Sequence, residues 1–273
     1  MIDAHQHFWR IGRNDCRWPT PDLAAIHRDY EPDALTALAT PLGVRGSVLI
    51  QSQTSNLDTD YLLDLADAEP FVKAVVGWVD LEAPTAVDRI GVLAARPKFR
   101  GVRPMLQDMA QDDWILSPRL EPAIAGLIAN ALCFDALVAP RHLAHLATFA
   151  ARHPDLRLVV DHGGKPDIAS QGLDPWREAI GALADLPHVH CKLSGLPTQA
   201  GPDQDLSALS PFIDHLLLVF GPERLMWGSD WPVLDLRSDY RSWLSLAQLR
   251  INRSDPAAAA QVFGRTAERF YRL

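Results

Sequence analysis

The sequence of 273 residues lacks several features that mark whole classes of protein. No apolar stretch reaches the roughly 18 residues of a membrane-spanning helix, and no basic segment with an apolar region after it precedes the first predicted strand. Basic runs are also absent, and the net charge of -8 argues against a nucleic-acid or anionic-membrane partner. We therefore expect a cytoplasmic protein whose partner is a small molecule.

Cysteines and glycine-rich phosphate motifs are also scarce. The three cysteines, Cys16, Cys133 and Cys191, do not have the spacing of a metal site. Cys133 and Cys191 lie within apolar runs, which predicts buried thiols in a reducing compartment. No Gly-x-Gly-x-x-Gly or Walker sequence follows a predicted strand, which disfavours a nucleotide-binding site.

What the sequence does contain is a regular alternation of short apolar runs and amphipathic segments. Strands are predicted from residue 2 and at 45–51, 71–79, 99–103, 132–138, 156–161, 189–193 and 225–228, and helices at 31–40, 56–68, 85–95, 120–130, 141–152, 175–184, 206–220, 240–249 and 257–270. Near-continuous apolar strands between helices are typical of a parallel sheet covered on both faces. Eight such units favour a single α/β domain, residues 1–273, folded as a (β/α)8 TIM barrel; a doubly wound open sheet is the alternative.

Ionisable side chains follow the first and the last predicted strand. In residues 2–9 (IDAHQHFW), the period of two along a strand places His5 and His7 on the same side. In residues 226–232 (MWGSDWP), Asp230 follows the eighth strand. A pair of hydrogen-bonded histidines at a sheet edge is the alternative explanation of the first motif.

The active site of such a barrel lies at the carboxyl ends of its strands, so polar residues there are the candidates. Those after the other strands are Gln51, Gln53, Trp78, Asp80, Arg103, Gln107, Asp135, Asp161, His162, Lys192 and Ser194. Each also has an ordinary explanation, as a helix-capping carboxylate, a surface lysine, a loop-capping amide or a core aromatic. Residues 10–30 form a long connection, which predicts a lid or a binding loop.

If they meet, His5, His7, His162 and Asp230 suit one Zn²⁺ or Mn²⁺ ion with a position open to water. Asp230 would take a proton from that water, and Arg103, Lys192 or the metal would stabilise the oxyanion that forms on a carbonyl. A metal-independent site is the alternative, in which the histidines donate hydrogen bonds to the carbonyl.

Five segments together resemble the amidohydrolase-2 branch of the amidohydrolase superfamily, over essentially the whole chain. They are residues 2–9 (IDAHQHFW), 100–108 (RGVRPMLQD), 160–166 (VDHGGKP), 191–196 (CKLSGL) and 227–232 (WGSDWP). Within this branch the sequence is most similar to the sugar lactonases of the L-fuconolactonase and L-rhamnonolactonase type. The sequence resembles the pyrone-dicarboxylate and muconolactone-type lactonases less closely.

The resemblance implies a distorted barrel that hydrolyses a lactone to a hydroxy acid. It also implies that the family's two strand-one histidines correspond to His5 and His7 and its strand-six histidine to His162. The strand-eight aspartate that acts as general base in the family corresponds to Asp230. Binuclear members of the superfamily have a carboxylated lysine or a glutamate after strand four or five and a histidine after strand five. Here Arg103 and Asp135 end those strands, so at most one metal ion is expected.

The predicted substrate is a neutral sugar lactone, because a dicarboxylate would require several arginines and only Arg103 lies at a strand end. The residues predicted to contact it are Gln51, Trp78, Arg103, Gln107, Asp135 and Lys192. The alternatives are a dicarboxylate or muconolactone-type lactonase, a metal-dependent decarboxylase, and an inactive barrel that binds a sugar acid. The sequence leaves open whether the protein is a monomer or a homodimer.

Overall fold

The computed structural model describes residues 1–170, 172–254 and 256–273, in which eight parallel strands follow one another in chain order around one sheet. The strands are β1 (Asp3–Gln6), β2 (Ser47–Ile50), β3 (Val72–Gly77), β4 (Phe99–Val102), β5 (Cys133–Ala136), β6 (Arg157–Val160), β7 (Val189–Leu193) and β8 (Leu225–Trp227). The predicted (β/α)8 barrel is confirmed. A doubly wound sheet is excluded, because in that fold the order of strands across the sheet differs from their order in the sequence, whereas here the two orders are the same.

Helices cover the outside of the barrel. The α-helices are α1 (Pro32–Ala39), α2 (Asn56–Ala68), α3 (Ala86–Ala94), α4 (Glu121–Ala129), α5 (Leu143–Arg152), α6 (Asp174–Ala184), α7 (Ser210–Phe220), α8 (Tyr240–Ser254) and α9 (Thr266–Tyr271). Helix α2 begins where predicted, because the Ser55 hydroxyl accepts hydrogen bonds from the N–H groups of Leu57 and Asp58. None of the described helices is both long enough and apolar enough to cross a bilayer.

Apolar side chains form two buried layers, one on each side of the strands. The inner layer fills the barrel and includes Val48 and Ile50, whereas Leu49 belongs to the outer layer between strands and helices. This division follows from the alternation of side chains along a strand. The three cysteines are buried and free, as predicted.

The carboxyl-terminal segment differs from the single helix predicted at 257–270. It contains a 3₁₀ turn (Pro256–Ala258), a π-helical turn (Gln261–Arg265) and then α9. Apolar periodicity does not reveal a π turn, because a single turn of five residues is too short to distinguish from regular α-helix by its apolar pattern. Helix α9 places the buried Tyr271 side chain in the inner layer of the barrel.

Candidate active site

The segment after β8 completes the barrel by pairing with β1. The Asp230 N–H donates to the carbonyl of His5 at 2.8 Å, and the His7 N–H donates to the carbonyl of Trp231 at 2.8 Å. A parallel bridge also joins Gln6 to Trp231. The barrel is therefore distorted at this seam, where a loop adjoins β1, and Asp230 lies beside both histidines of β1.

Asp3 fastens this seam through its buried carboxylate. One oxygen accepts hydrogen bonds from the N–H groups of Ser229 at 2.8 Å and His5 at 3.2 Å. The other accepts a hydrogen bond from the Tyr240 hydroxyl at 3.0 Å. Burial raises the pKa of Asp3 to about 6, although these donors oppose the rise. Asp3 therefore ties the backbone of Ser229, which precedes Asp230, to the backbone of His5.

Two glycines allow the backbone to approach the imidazoles closely. A Cβ at Gly228 would lie 2.6 Å from the Cβ of His5. A Cβ at Gly195, where φ is +62°, would lie 2.4 Å from Nδ1 of His162. Glycine alone has no Cβ and adopts a positive φ without steric cost. Any larger residue at either position would displace an imidazole.

The four residues that the sequence selects as catalytic converge at the carboxyl end of the barrel. The Nε2 atoms of His5 and His7 are 3.2 Å apart, and Oδ1 of Asp230 lies 3.3 Å from Nε2 of His7. The same oxygen lies 3.6 Å from Nε2 of His5 and 3.9 Å from Nε2 of His162. All four side chains are almost completely buried.

Burial keeps the imidazoles neutral. It lowers the pKa values of His5 and His7 and lowers that of His162 to about 4. The Nδ1 atom of His7 lies 2.8 Å from the carbonyl oxygen of Ile50, so neutral His7 donates from Nδ1 and keeps a lone pair on Nε2. Nδ1 of His162 is 2.9 Å from the hydroxyl of Ser194.

Asp230 is ionised although it is buried. Burial raises its pKa, but a hydrogen bond with His7 and the positive charge that His162, His5 and His7 acquire when acid protonates them lower the pKa by more, to below its ordinary value. Its Oδ1 therefore faces the lone pair of His7 Nε2 at 3.3 Å. Two acceptors at this distance repel each other unless a proton or a cation lies between them.

The separations also fit one divalent cation. Ligand atoms about 2.0–2.1 Å from a tetrahedral zinc ion lie about 3.3 Å from one another. The separations among His5, His7 and Asp230 are 3.2, 3.3 and 3.6 Å. These three residues form one possible ligand set, and His5, Asp161 and His162 form another.

A second group of polar side chains, the buried charge cluster, lies inside the barrel against His5. It consists of Asp135, Asp161, Lys192 and Tyr271, all fully buried. Nζ of Lys192 lies 2.6 Å from Asp135, 3.0 Å from Asp161 and 3.2 Å from Nδ1 of His5. The Tyr271 hydroxyl donates to Asp135 at 2.7 Å. Burial lowers the pKa of Lys192, but Asp135 and Asp161 raise it by more, so Lys192 is charged.

This ammonium disfavours the ligand set that includes Asp161. Lys192 already contacts both His5 and Asp161, and Nη1 of Arg103 lies 3.5 Å from the other oxygen of Asp161. Two positive side chains would repel a divalent cation bound there. The set of His5, His7 and Asp230 is therefore the better candidate.

A cavity of about 340 Å³ opens above the imidazoles, large enough for a small ligand. Its lining consists of His7, Trp18, Ser52, Gln53, Thr54, Arg103, Met105, Gln107, Asp108, Leu137, His162, Lys165, Thr198, Asp230 and Val233. Within the described part of the chain, the buried Nε of Arg103 has no hydrogen-bond partner. That N–H is therefore a donor without a protein acceptor beside the cavity.

Two of the six residues predicted to contact substrate, Arg103 and Gln107, line this cavity. The four that lie outside its lining are Gln51, Trp78, Asp135 and Lys192. Gln51 instead holds Arg103: its amide donates to the Arg103 carbonyl at 2.7 Å, and its carbonyl accepts from the guanidinium. Asp135 and Lys192 neutralise each other inside the barrel. The structure therefore gives no support to direct substrate contact by these four residues.

Trp18, Asp108 and Lys165 are among the nine lining residues that do not appear in the set at the predicted strand ends, because these three lie in the connections between predicted strands and helices. Trp18 belongs to the long 10–30 segment, whose length was the signal. Gln53 fixes it, since the Gln53 amide donates to the Trp18 carbonyl at 2.7 Å and accepts from its N–H at 3.3 Å. The rings of Trp18 and Trp9 meet edge to face at 5.4 Å.

The family profile described as amidohydrolase matches residues 2–273. This chain belongs to the amidohydrolase family. This amidohydrolase is 51% identical over 276 residues to the L-fucono-1,5-lactonase of Burkholderia ambifaria, covering 100% of this chain and 95% of that protein. It is 39% identical to the L-fucono-1,5-lactonase of Burkholderia multivorans, with 100% and 96% covered. The resemblance inferred from the five sequence segments is confirmed.

A solved structure is similar over the same length. The crystal structure of a Burkholderia multivorans amidohydrolase with bound zinc matches this amidohydrolase with a TM-score of 0.94 and 39% identity. The match covers 100% of this chain and 99% of that one. The overall fold therefore has an experimental counterpart.

Proposed function

We propose that this chain hydrolyses an aldono-1,5-lactone, such as L-fucono-1,5-lactone, to the aldonic acid. The observation that carries the proposal is the convergence of three neutral imidazoles on the ionised carboxylate of Asp230 beside a small cavity. Two relatives named L-fucono-1,5-lactonase, 51% and 39% identical over the whole chain, support the sugar-lactone class.

Asp230 is the general base of the proposed reaction. Its ionised carboxylate accepts a proton from a water molecule while the oxygen of that water attacks the carbonyl carbon of the lactone. The hydrogen bond from its N–H to His5 fixes the residue in place. Its backbone has a φ of 60°, which non-glycine residues adopt rarely and which is common at functional sites.

His5, His7 and Asp230 would hold one divalent ion, Zn²⁺ by preference and Mn²⁺ as the alternative, and His162, with Nε2 3.9 Å from Asp230, is the fourth ligand that the sequence predicts. Neutral imidazoles and an ionised carboxylate are the states that a metal requires. When bound, the ion would polarise the lactone carbonyl and lower the pKa of water. The zinc in the related Burkholderia multivorans structure supports this choice. In the metal-independent alternative, the imidazoles themselves would donate hydrogen bonds to the carbonyl.

Arg103 stabilises the negative charge that develops on the carbonyl oxygen. Its side chain is buried, and both its carbonyl and its guanidinium are held by Gln51. Nη1 lies 3.4 Å from Nε2 of His5, and the buried Nε has no hydrogen-bond partner among the described residues. A donor that is already in position stabilises an oxyanion without reorganisation.

The charges of the cavity favour a neutral polyol over a dicarboxylate. Two cationic side chains, Arg103 and Lys165, are balanced by two carboxylates, Asp108 and Asp230. A dicarboxylate would meet repulsion from the latter pair. Trp18 offers an apolar face to the C–H groups of a sugar ring.

The test is proton release, followed with a pH indicator, from a panel of L-fucono-, L-rhamnono- and L-galactono-lactones, with buffer alone as the blank. We expect fast hydrolysis in one stereochemical series. If every rate equals the blank with folded protein and added Zn²⁺ or Mn²⁺, the sugar-lactonase proposal fails. Acidic lactones, and then carbon dioxide release from aromatic acids, would be tested next.

A further inference from the structure

Lys165 lies at the cavity in a strained backbone conformation. It directly follows the 3₁₀ turn Asp161–Gly164 at the end of β6, and its φ and ψ are 52° and 62°. Two other non-glycine residues of the cavity, His162 and Asp230, also have positive φ, at 55° and 60°. Such a conformation is strained for a non-glycine residue and persists where the surroundings enforce it, often at active sites. Lys165 thus shares this feature with two proposed catalytic residues.

The Lys165 side chain is held at the cavity by an anchored acceptor. Its Nζ donates to Oε1 of Gln107. Gln107 is itself fixed, because its N–H donates to Leu137 at 3.0 Å and its carbonyl accepts from Arg141 at 2.7 Å. The ammonium is therefore positioned in the cavity and is not free in solvent.

The opening of an ester ring requires a proton donor as well as a base, because the ring oxygen leaves poorly as an alkoxide. Among the described residues that line the cavity, Lys165 carries the only ammonium group. Arg103 does not release a proton in proteins, and the Nδ1 atoms of His7 and His162 are already engaged, by the Ile50 carbonyl at 2.8 Å and the Ser194 hydroxyl at 2.9 Å. The cavity therefore contains one well-suited acid.

We propose that Lys165 is the general acid of lactone opening, a role that rests on the proposed function. The water oxygen bonds to the carbonyl carbon, and the proton of that water passes to Asp230. The bond between the carbonyl carbon and the ring oxygen then breaks, and the ring oxygen takes a proton from Nζ of Lys165. Exchange with solvent returns the proton from Asp230 to the amine, so the net reaction is lactone plus water to hydroxy acid.

The electrostatic surroundings agree with this role. Burial lowers the pKa of Lys165, and Arg103 lowers it further. The carboxylates of Asp230, Asp108 and Asp161 raise the pKa and oppose this shift. A lysine with a lowered pKa releases its proton more readily than one in water.

The experiment compares Lys165→Met and Lys165→Arg, with Lys73→Met as an exposed control on β3. Arginine keeps the positive charge but does not release a proton. We expect kcat for L-fucono-1,5-lactone to fall about a hundredfold in both Lys165 variants, with KM little changed in Lys165→Arg. The decline of wild-type kcat at alkaline pH should be absent from both variants, and Lys73→Met should match wild type.

Near wild-type kcat in Lys165→Arg would overturn the proposal, because charge alone would then suffice. A rise in KM with unchanged kcat in Lys165→Met would also overturn it and would make Lys165 a binding residue. If Lys165→Met does not fold, the arginine variant decides alone. A wild-type rate equal to the blank on every lactone would instead refute the proposed function, and the general-acid role with it.

Discussion

Two groups of ionisable side chains meet around His5, and they are satisfied in opposite ways. In the buried charge cluster, Lys192 is neutralised by Asp135 and Asp161 within 3.0 Å, and Tyr271 completes the contacts. On the cavity side, Asp230 faces the lone pair of a histidine, and Nε of Arg103 has no partner among the described residues. Opposite charges that pair with one another hold the barrel together, whereas groups on the cavity side that lack such a pairing are available to substrate or metal.

The largest effect on stability should come from the buried charge cluster. Lys192→Met leaves Asp135 and Asp161 without their cation, and breaking such a buried pair costs about 3–5 kcal/mol. We expect urea unfolding at neutral pH to show a loss of this size. The double variant with Asp135→Asn should recover part of it. The exposed Lys73→Met should change stability by less than about 0.5 kcal/mol.

If Lys192→Met and Lys73→Met unfolded at the same urea concentration, the contrast between a stabilising cluster and a functional cavity would be contradicted. The buried charge cluster would then not be the part of the site that stabilises the fold.

A smaller effect, on activity, should follow from Gly195→Ala. Its Cβ would lie 2.4 Å from His162 and would push the imidazole away from Asp230. Misplacing a catalytic group by about 1 Å can cost up to a hundredfold, so we expect kcat/KM to fall about ten- to a hundredfold. Gly91→Ala is the matched control, because nothing lies within 4 Å of a Cβ in that helix position. Wild-type kcat/KM in Gly195→Ala would show that the position of His162 is unimportant.

The smallest effect concerns Asp58, a buried carboxylate that forms no ion pair with another described residue. It accepts long backbone hydrogen bonds from Ser52 and Gln53, at 3.3 and 3.4 Å. Burial raises its pKa from 3.8 to about 7. The folded state therefore binds this proton more tightly than the unfolded state, and the free energy of unfolding should fall as the pH rises from 3.8 to about 7.

Asp58→Asn removes this titration, so its stability should decrease less than that of wild type over the same pH range. Urea unfolding at several pH values measures the difference. If the free energy of unfolding changed equally with pH in wild type and in Asp58→Asn, the raised pKa of Asp58 would be refuted.

The sequence was sufficient for the barrel and for the four residues at its centre. The period of two in β1 placed His5 and His7 together, and the end of β8 placed Asp230 near them. The sequence did not separate residues inside a strand from those just after it. Lys192 lies within β7 and faces the barrel interior, whereas Arg103 follows β4 and reaches the cavity.

Loop residues were not predictable for a different reason. Trp18 and Lys165 reach the cavity through chain segments without helical or strand periodicity, so their spacing says nothing about where they point. Their positions depend on long-range partners, Gln53 for Trp18 and Gln107 for Lys165. The strained φ of Lys165 is likewise a property of the folded chain.

The most direct test of the account is the rate of L-fucono-1,5-lactone hydrolysis by Asp230→Asn, with circular dichroism to confirm that the variant is folded. Asparagine keeps the size of the side chain but cannot accept the proton of water. We predict a kcat lower than that of wild type by about a hundredfold or more. A folded variant with near wild-type kcat would contradict the account, because Asp230 would then not be the base.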